Sequence, residues 1–281
     1  MHLFYNKNSK LRNFWWIVVF FLILGSFTLP AILIAKHYGW EVTMWMQALL
    51  VVAATYVCQL LRRKPLIEVT GVLNSVWIKH FGIGLGIGAA LMLIPAGCLY
   101  LGGWISWQAT SFDMNLIIQA AGLYLCVAVA EEFLFRGFLF QRLGNGFGYV
   151  PAQLIISAYF LLTHMNNPGM TGNTRVIASV NIFLASILLG YAFIKTKSLA
   201  MPLAIHFMAN FVQGTVLGFG VSGNEQTGLL KPIFNEAPQW LTGGSFGLEA
   251  SVPGLICVML ALVLMGIWRG DSIKAWRPEI I

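Results

Sequence analysis

Long apolar runs follow one another along almost the whole chain, separated only by short polar breaks, and nothing else restricts the fold as much. A helix needs about 20 mostly apolar residues to cross the roughly 30 Å hydrocarbon core of a bilayer. Eight runs approach that length: 14–35, 43–61, 78–101, 114–142, 149–164, 177–194, 199–219 and 252–268. Of the 281 residues, 58% are hydrophobic and only 10% are charged. A soluble domain carries about 25% charged residues, and a chain with so few cannot cover a water-facing surface. The expected fold class is therefore all-α. We expect an integral membrane bundle of eight transmembrane helices, with 1–281 forming a single polytopic membrane domain.

The placement of charge gives an orientation. With eight spans, both termini share one side. Fourteen of the seventeen basic residues then fall on that side, while Lys36, Arg175 and Lys231 fall on the other. Lys and Arg collect in cytoplasmic loops, so both termini are expected in the cytoplasm, and the expected location is a bacterial plasma membrane. The same distribution accounts for the net charge of +7 without a nucleic-acid partner, because no basic cluster has groove-sized surface around it. Lys7, Lys10 and Arg12 precede the first run much as in a secretory signal. That run is too long and lacks a small-residue cleavage site, so it reads as a retained helix. Cys58, Cys98, Cys126 and Cys257 stand singly in apolar runs and read as buried structural thiols. Gly82, Gly84, Gly86 and Gly88 follow no strand. The pairs Gly82/Gly86 and Gly84/Gly88 predict close helix packing rather than a phosphate loop.

Ionisable groups inside a bilayer are costly and mark candidate sites. Three clusters qualify. Glu131, Glu132 and Arg136 lie late in the fourth run. Glu132 and Arg136 are four residues apart, with the acid first, which is the favourable order for an ion pair on one helical face. Glu131 points about 100° away and has no such partner, which leaves it free for chemistry. Phe160 and His164 end the fifth run, and His206 and Asn210 share a face of the seventh. Singly, each has a plainer reading: solvated interfacial charges, a capped histidine, an interhelical hydrogen bond. Together they are a sufficient kit for hydrolysis. A carboxylate in apolar surroundings can deprotonate water, and imidazole and carboxamide groups can position that water or donate to an oxyanion.

The ordered motifs Glu-Glu-x-x-x-Arg at 131–136, Phe-x-x-x-His at 160–164 and His-x-x-x-Asn at 206–210 resemble the CAAX protease and bacteriocin-processing (CPBP, or Abi) family of intramembrane endopeptidases. The resemblance covers the central helices. It implies a peptide hydrolase in which Glu131 is the general base, His164 positions the water, and His206 and Asn210 stabilise the oxyanion. Glu132, Arg136 and Phe160 would support the site. The implied partner is a membrane-bound peptide or protein substrate, prenylated in eukaryotic members and linked to bacteriocin maturation and peptide signals in bacterial relatives. A metalloprotease-like zinc site made of Glu131, His164 and His206 is chemically feasible. The HExxH pattern is absent, however, and a metal-free glutamate mechanism without cofactor is the stronger expectation.

Two rival functions keep the same helices: a non-catalytic immunity or scaffold protein, and a transporter. Against the transporter, the polar groups form no file across the membrane, and the halves show no paired broken helices. One geometric demand remains. If the fifth helix runs straight from residue 149, His164 lies roughly 22 Å from the cytoplasmic face, out of reach of a Glu131 in the cytoplasmic half. A re-entrant turn at Gly144, Gly146 and Gly148, or tilted helices around a deep cavity, would have to bring them together.

Overall fold

The computed structural model describes residues 4–5, 10–111 and 113–270. His2, Lys7, Lys274 and Arg277, which entered the sequence reading, lie outside the described residues. Eleven α-helical segments follow one another: α1 Asn13–Tyr38, α2 Met44–Leu61, α3 Ile67–Thr70, α4 Ser75–Leu101, α5 Met114–Glu132, α6 Phe140–Phe147, α7 Tyr149–His164, α8 Gly172–Thr196, α9 Ala200–Phe211, α10 Gln239–Thr242 and α11 Val252–Ile267. Among the described residues, five helices are long and apolar enough to cross a membrane: Asn13–Tyr38, Met44–Leu61, Ser75–Leu101, Met114–Phe147 and Gly172–Thr196. All eight expected runs are helical, but α7 and α11 have only 16 residues each and α9 only 12. The length criterion is thus met by five of the eight.

The ends of these helices follow from local chemistry. Asn74 caps α4 by accepting from the Trp77 amide at 3.0 Å, Asp113 caps α5 from Asn115 at 2.9 Å, and Ser251 caps α11 from Gly254 at 3.0 Å. Gly39 closes α1 in the left-handed region, where a glycine carries no Cβ penalty. Lys197, also left-handed, ends α8 and turns the chain directly into α9.

One departure from a purely helical chain lies in the loops. β1, Ile105–Ala109, pairs antiparallel with β2, Leu230–Phe234, with Trp107 opposite Pro232. This small sheet ties the loop after α4 to the long segment 220–250. Of the two glycine pairs, only one packs as expected. A Cβ on Gly84 would come within 2.7 Å of the Met201 carbonyl and the Ala204 methyl, and one on Gly88 would run into the Ile205 carbonyl. Gly82 and Gly86 have open space beside them, because they sit on the opposite side of α4. The cysteines also differ from expectation. All are free, but only Cys58 is buried, and Cys98 is exposed, as an apolar thiol facing lipid can be.

The core has two apolar clusters. One is aromatic and gathers Phe20, Phe135, Phe138, Phe140 and Phe160 between α1, α6 and α7. The other gathers Leu91, Leu188, Met201, Ile205 and Val258 between α4, α8, α9 and α11. The polar clusters of the sequence lie where these two meet.

Candidate active site

Both helices that carry the site's acidic and His-Asn motifs change winding just past them. α5 runs into a π-helical stretch, Phe133–Leu139, immediately after Glu132. α9 runs into another, Val212–Val216, two residues after Asn210. Such wide turns rotate the side chains ahead of them relative to those behind, and they recur at functional sites.

Two consecutive carboxylates flank one imidazole. Glu132 Oε1 lies 2.8 Å from His206 Nδ1, and Glu131 Oε2 lies 3.7 Å from His206 Nε2. A carboxylate only accepts, so His206 Nδ1 donates, and Nε2 is the nitrogen left facing Glu131. The same Glu132 oxygen accepts from Arg136 Nη1 at 3.1 Å. Arg136 is fully buried, and its Nη2 donates to the Ser186 hydroxyl at 2.7 Å and the Ser186 carbonyl at 3.1 Å. Its guanidinium lies over the Phe160 ring, 4.7 Å from the centroid. Leaving one member of such a buried pair uncompensated costs about 3–5 kcal/mol. Glu132 therefore does more than the expected bracing of Arg136: it also anchors His206, a contact that spacing within one helix could not reveal.

His164 is held by its own helix. Its Nδ1 lies 2.8 Å from the Phe160 carbonyl, which again leaves Nε2 as the presented nitrogen. Its ring centroid lies 4.6 Å from that of Phe160. Phe160 thus touches Arg136 on one side and His164 on the other.

Glu131, Phe160, His164, His206 and Asn210 all line one cavity of about 690 Å³. The demand on His164 is met without a re-entrant turn. α5, the π stretch and α6 form one rod, Met114–Phe147, and α7 starts at Tyr149 after the single turn at Gly148 and runs back beside it. Glu131 lies 16 residues before Phe147 and His164 lies 15 after Tyr149. At about 1.5 Å per residue both stand roughly 22–24 Å from the shared turn. The fourth run extends to Phe147 rather than 142, so Glu131 lies deeper than expected and at the height of His164.

A third carboxylate also faces this cavity. Glu249, in the turn Leu248–Ala250, accepts from the Ser222 amide and hydroxyl, both at 2.9 Å, through Oε2. Its backbone carbonyl accepts from Asn181 Nδ2 at 2.7 Å. Burial pushes its carboxyl above the usual range, against the hydrogen bonds from Ser222 and the attraction of His164 and His206. The sequence reading missed it, because a glutamate in a polar loop carries no local sign that the loop folds back into the bundle.

Among the described residues, no three His, Cys, Asp or Glu side chains gather closely enough to hold a metal ion. The donor set Glu131, His164 and His206 shares the cavity but does not gather into such a group.

Residues 113–212 match the family model of the type II CAAX prenyl endopeptidases, Rce1-like. The matched segment runs from the cap of α5 to the end of α9 and contains all the motif positions named above. Among curated proteins, none matches the chain.

Proposed function

With residues 113–212 carrying the Rce1-like pattern, we propose that this integral membrane protein is an intramembrane endopeptidase. It hydrolyses a peptide bond in a membrane-associated protein or peptide, using water activated by Glu131. The observation that carries this reading is Glu131 Oε2, a buried oxygen with no hydrogen-bond donor among the described residues, 3.7 Å from His206 Nε2, on a side chain that lines the shared cavity. That separation is too long for a direct hydrogen bond and suits a bridging water.

Each neighbour then has a task. Glu131 takes the proton of the attacking water. Asn210, one turn from His206, offers its carboxamide N–H groups to the developing oxyanion. The His206 ring is fixed by Glu132, and that carboxylate is fixed by Arg136 and Ser186. His164 Nε2 faces the same space and positions the water or receives a proton from it. In this reading the water is activated by the carboxylate without a resident metal.

The test is cleavage of a membrane-anchored reporter peptide in proteoliposomes. Glu131→Gln is expected to lower turnover about 10²–10⁴-fold, the usual contribution of a general base, with the melting temperature unchanged. Chelators should leave wild-type turnover intact. Full activity in Glu131→Gln would remove Glu131 from this role.

A further inference from the structure

The cavity has a direction. From Glu131 and His206 its lining continues through Val127 and Tyr124 of α5 to Gln47 at the start of α2, and to Asn224 and Gln226 in the segment after α9. All of these lie toward the end of the bundle that carries the two-stranded sheet and the 220–250 segment. The lining does not continue past Glu132 toward the other end. Beyond Glu132 the described residues pack Phe135, Phe138 and Phe140, each 2% exposed or less, against Phe20, and Gln141 is tied to the Val69 carbonyl at 3.1 Å.

The charges of the described residues divide between the same two ends. At the packed aromatic end lie ten basic residues, in the segments 10–12, 62–79, 142 and 195–197 and at Arg269, and a single acid, Glu68. At the open end lie only Lys36, Arg175 and Lys231, beside five acids. Basic residues mark the cytoplasmic side of a membrane protein. We infer that the cavity opens away from the cytoplasm, and that its substrate class is the exoplasmic stretch of a membrane-anchored peptide or protein. A lipidated carboxyl-terminal tail held at the cytoplasmic leaflet would meet the packed aromatic end instead. This inference rests on reading the cavity as the hydrolytic site, but its test does not depend on cleavage.

Single cysteines placed by Gln226→Cys, Val127→Cys and Lys64→Cys in the full chain are treated in intact cells with a small membrane-impermeant thiosulfonate cation. Label gained over the wild-type background is then measured before and after permeabilisation. Gln226→Cys, at the mouth, and Val127→Cys, on the cavity wall, are expected to gain label in intact cells. Lys64→Cys is expected to gain it only after permeabilisation. The reverse pattern overturns the inference and assigns a cytoplasmic substrate. Label at Gln226→Cys but not at Val127→Cys, with or without permeabilisation, overturns the open path to the site. Loss of Glu131-dependent cleavage is a separate result and bears on the hydrolase reading alone.

Discussion

His206 and His164 are held in the same manner. Each ring commits Nδ1 to an acceptor, the Glu132 carboxylate for one and the Phe160 carbonyl for the other, and presents Nε2. Fixing the tautomer through the far nitrogen is a common way to prepare an imidazole for a task. Glu249 extends this ordering from the loop side. Glu249→Ala leaves the Ser222 amide and hydroxyl without their acceptor, so the wall opposite His164 should loosen. We expect turnover to fall about tenfold, equal to roughly 1.4 kcal/mol of barrier. Glu249→Gln, which keeps an acceptor oxygen, should restore most of it. Unchanged kinetics in the alanine variant would show that the Ser222 contact is only decorative for the site.

At the level of whole helices, the seating of α9 on α4 decides where His206 and Asn210 stand. The smooth faces of Gly84 and Gly88 let α9 approach its neighbour at the residues just before His206. Gly88→Val should push the two helices apart, cost about 1–3 kcal/mol as an overpacked contact, and lower both melting temperature and turnover. Gly86→Val, whose side chain meets open space, should change neither; equal effects from the two would remove this packing argument. Much of the architecture could be read from the chain. Apolar length located the helices, and Tyr149–His164 was found to the residue because glycines precede it and polar residues follow it. The imidazoles at 164 and 206 stood out against apolar surroundings. The two π stretches, the Glu132–His206 contact and the place of Glu249 could not be read in this way. They are set by how distant segments fit together, and neighbouring letters do not encode that.

For the molecule as a whole, the basic end carries an ion cluster that ties α2, α3 and α6 together. Glu68, in the short α3, receives Arg62 Nη2 at 3.1 Å and Gln59 Nε2 at 2.9 Å, and lies 3.9 Å from Arg142. Burial alone would raise its carboxyl. The hydrogen bonds from Arg62 and Gln59 and the charges of Arg62 and Arg142 outweigh that and hold it below its ordinary value. A group lowered in the folded state stabilises above its unfolded pKa, about 4.3 for Glu, and that stabilisation is lost as pH falls through the folded value. Purified protein should therefore melt at lower temperature as pH drops below about 4, and Glu68→Gln should flatten that decline; an identical pH profile in the variant would discount the cluster. The aromatic floor beneath Arg136 has a consequence at this scale too. A protein that keeps a wet crypt within a bilayer risks becoming a conduit for protons and ions. Because Phe135, Phe138 and Phe140 are each 2% exposed or less and pack together on the far side of Glu132, the transmembrane gradient should survive even when the protein is abundant.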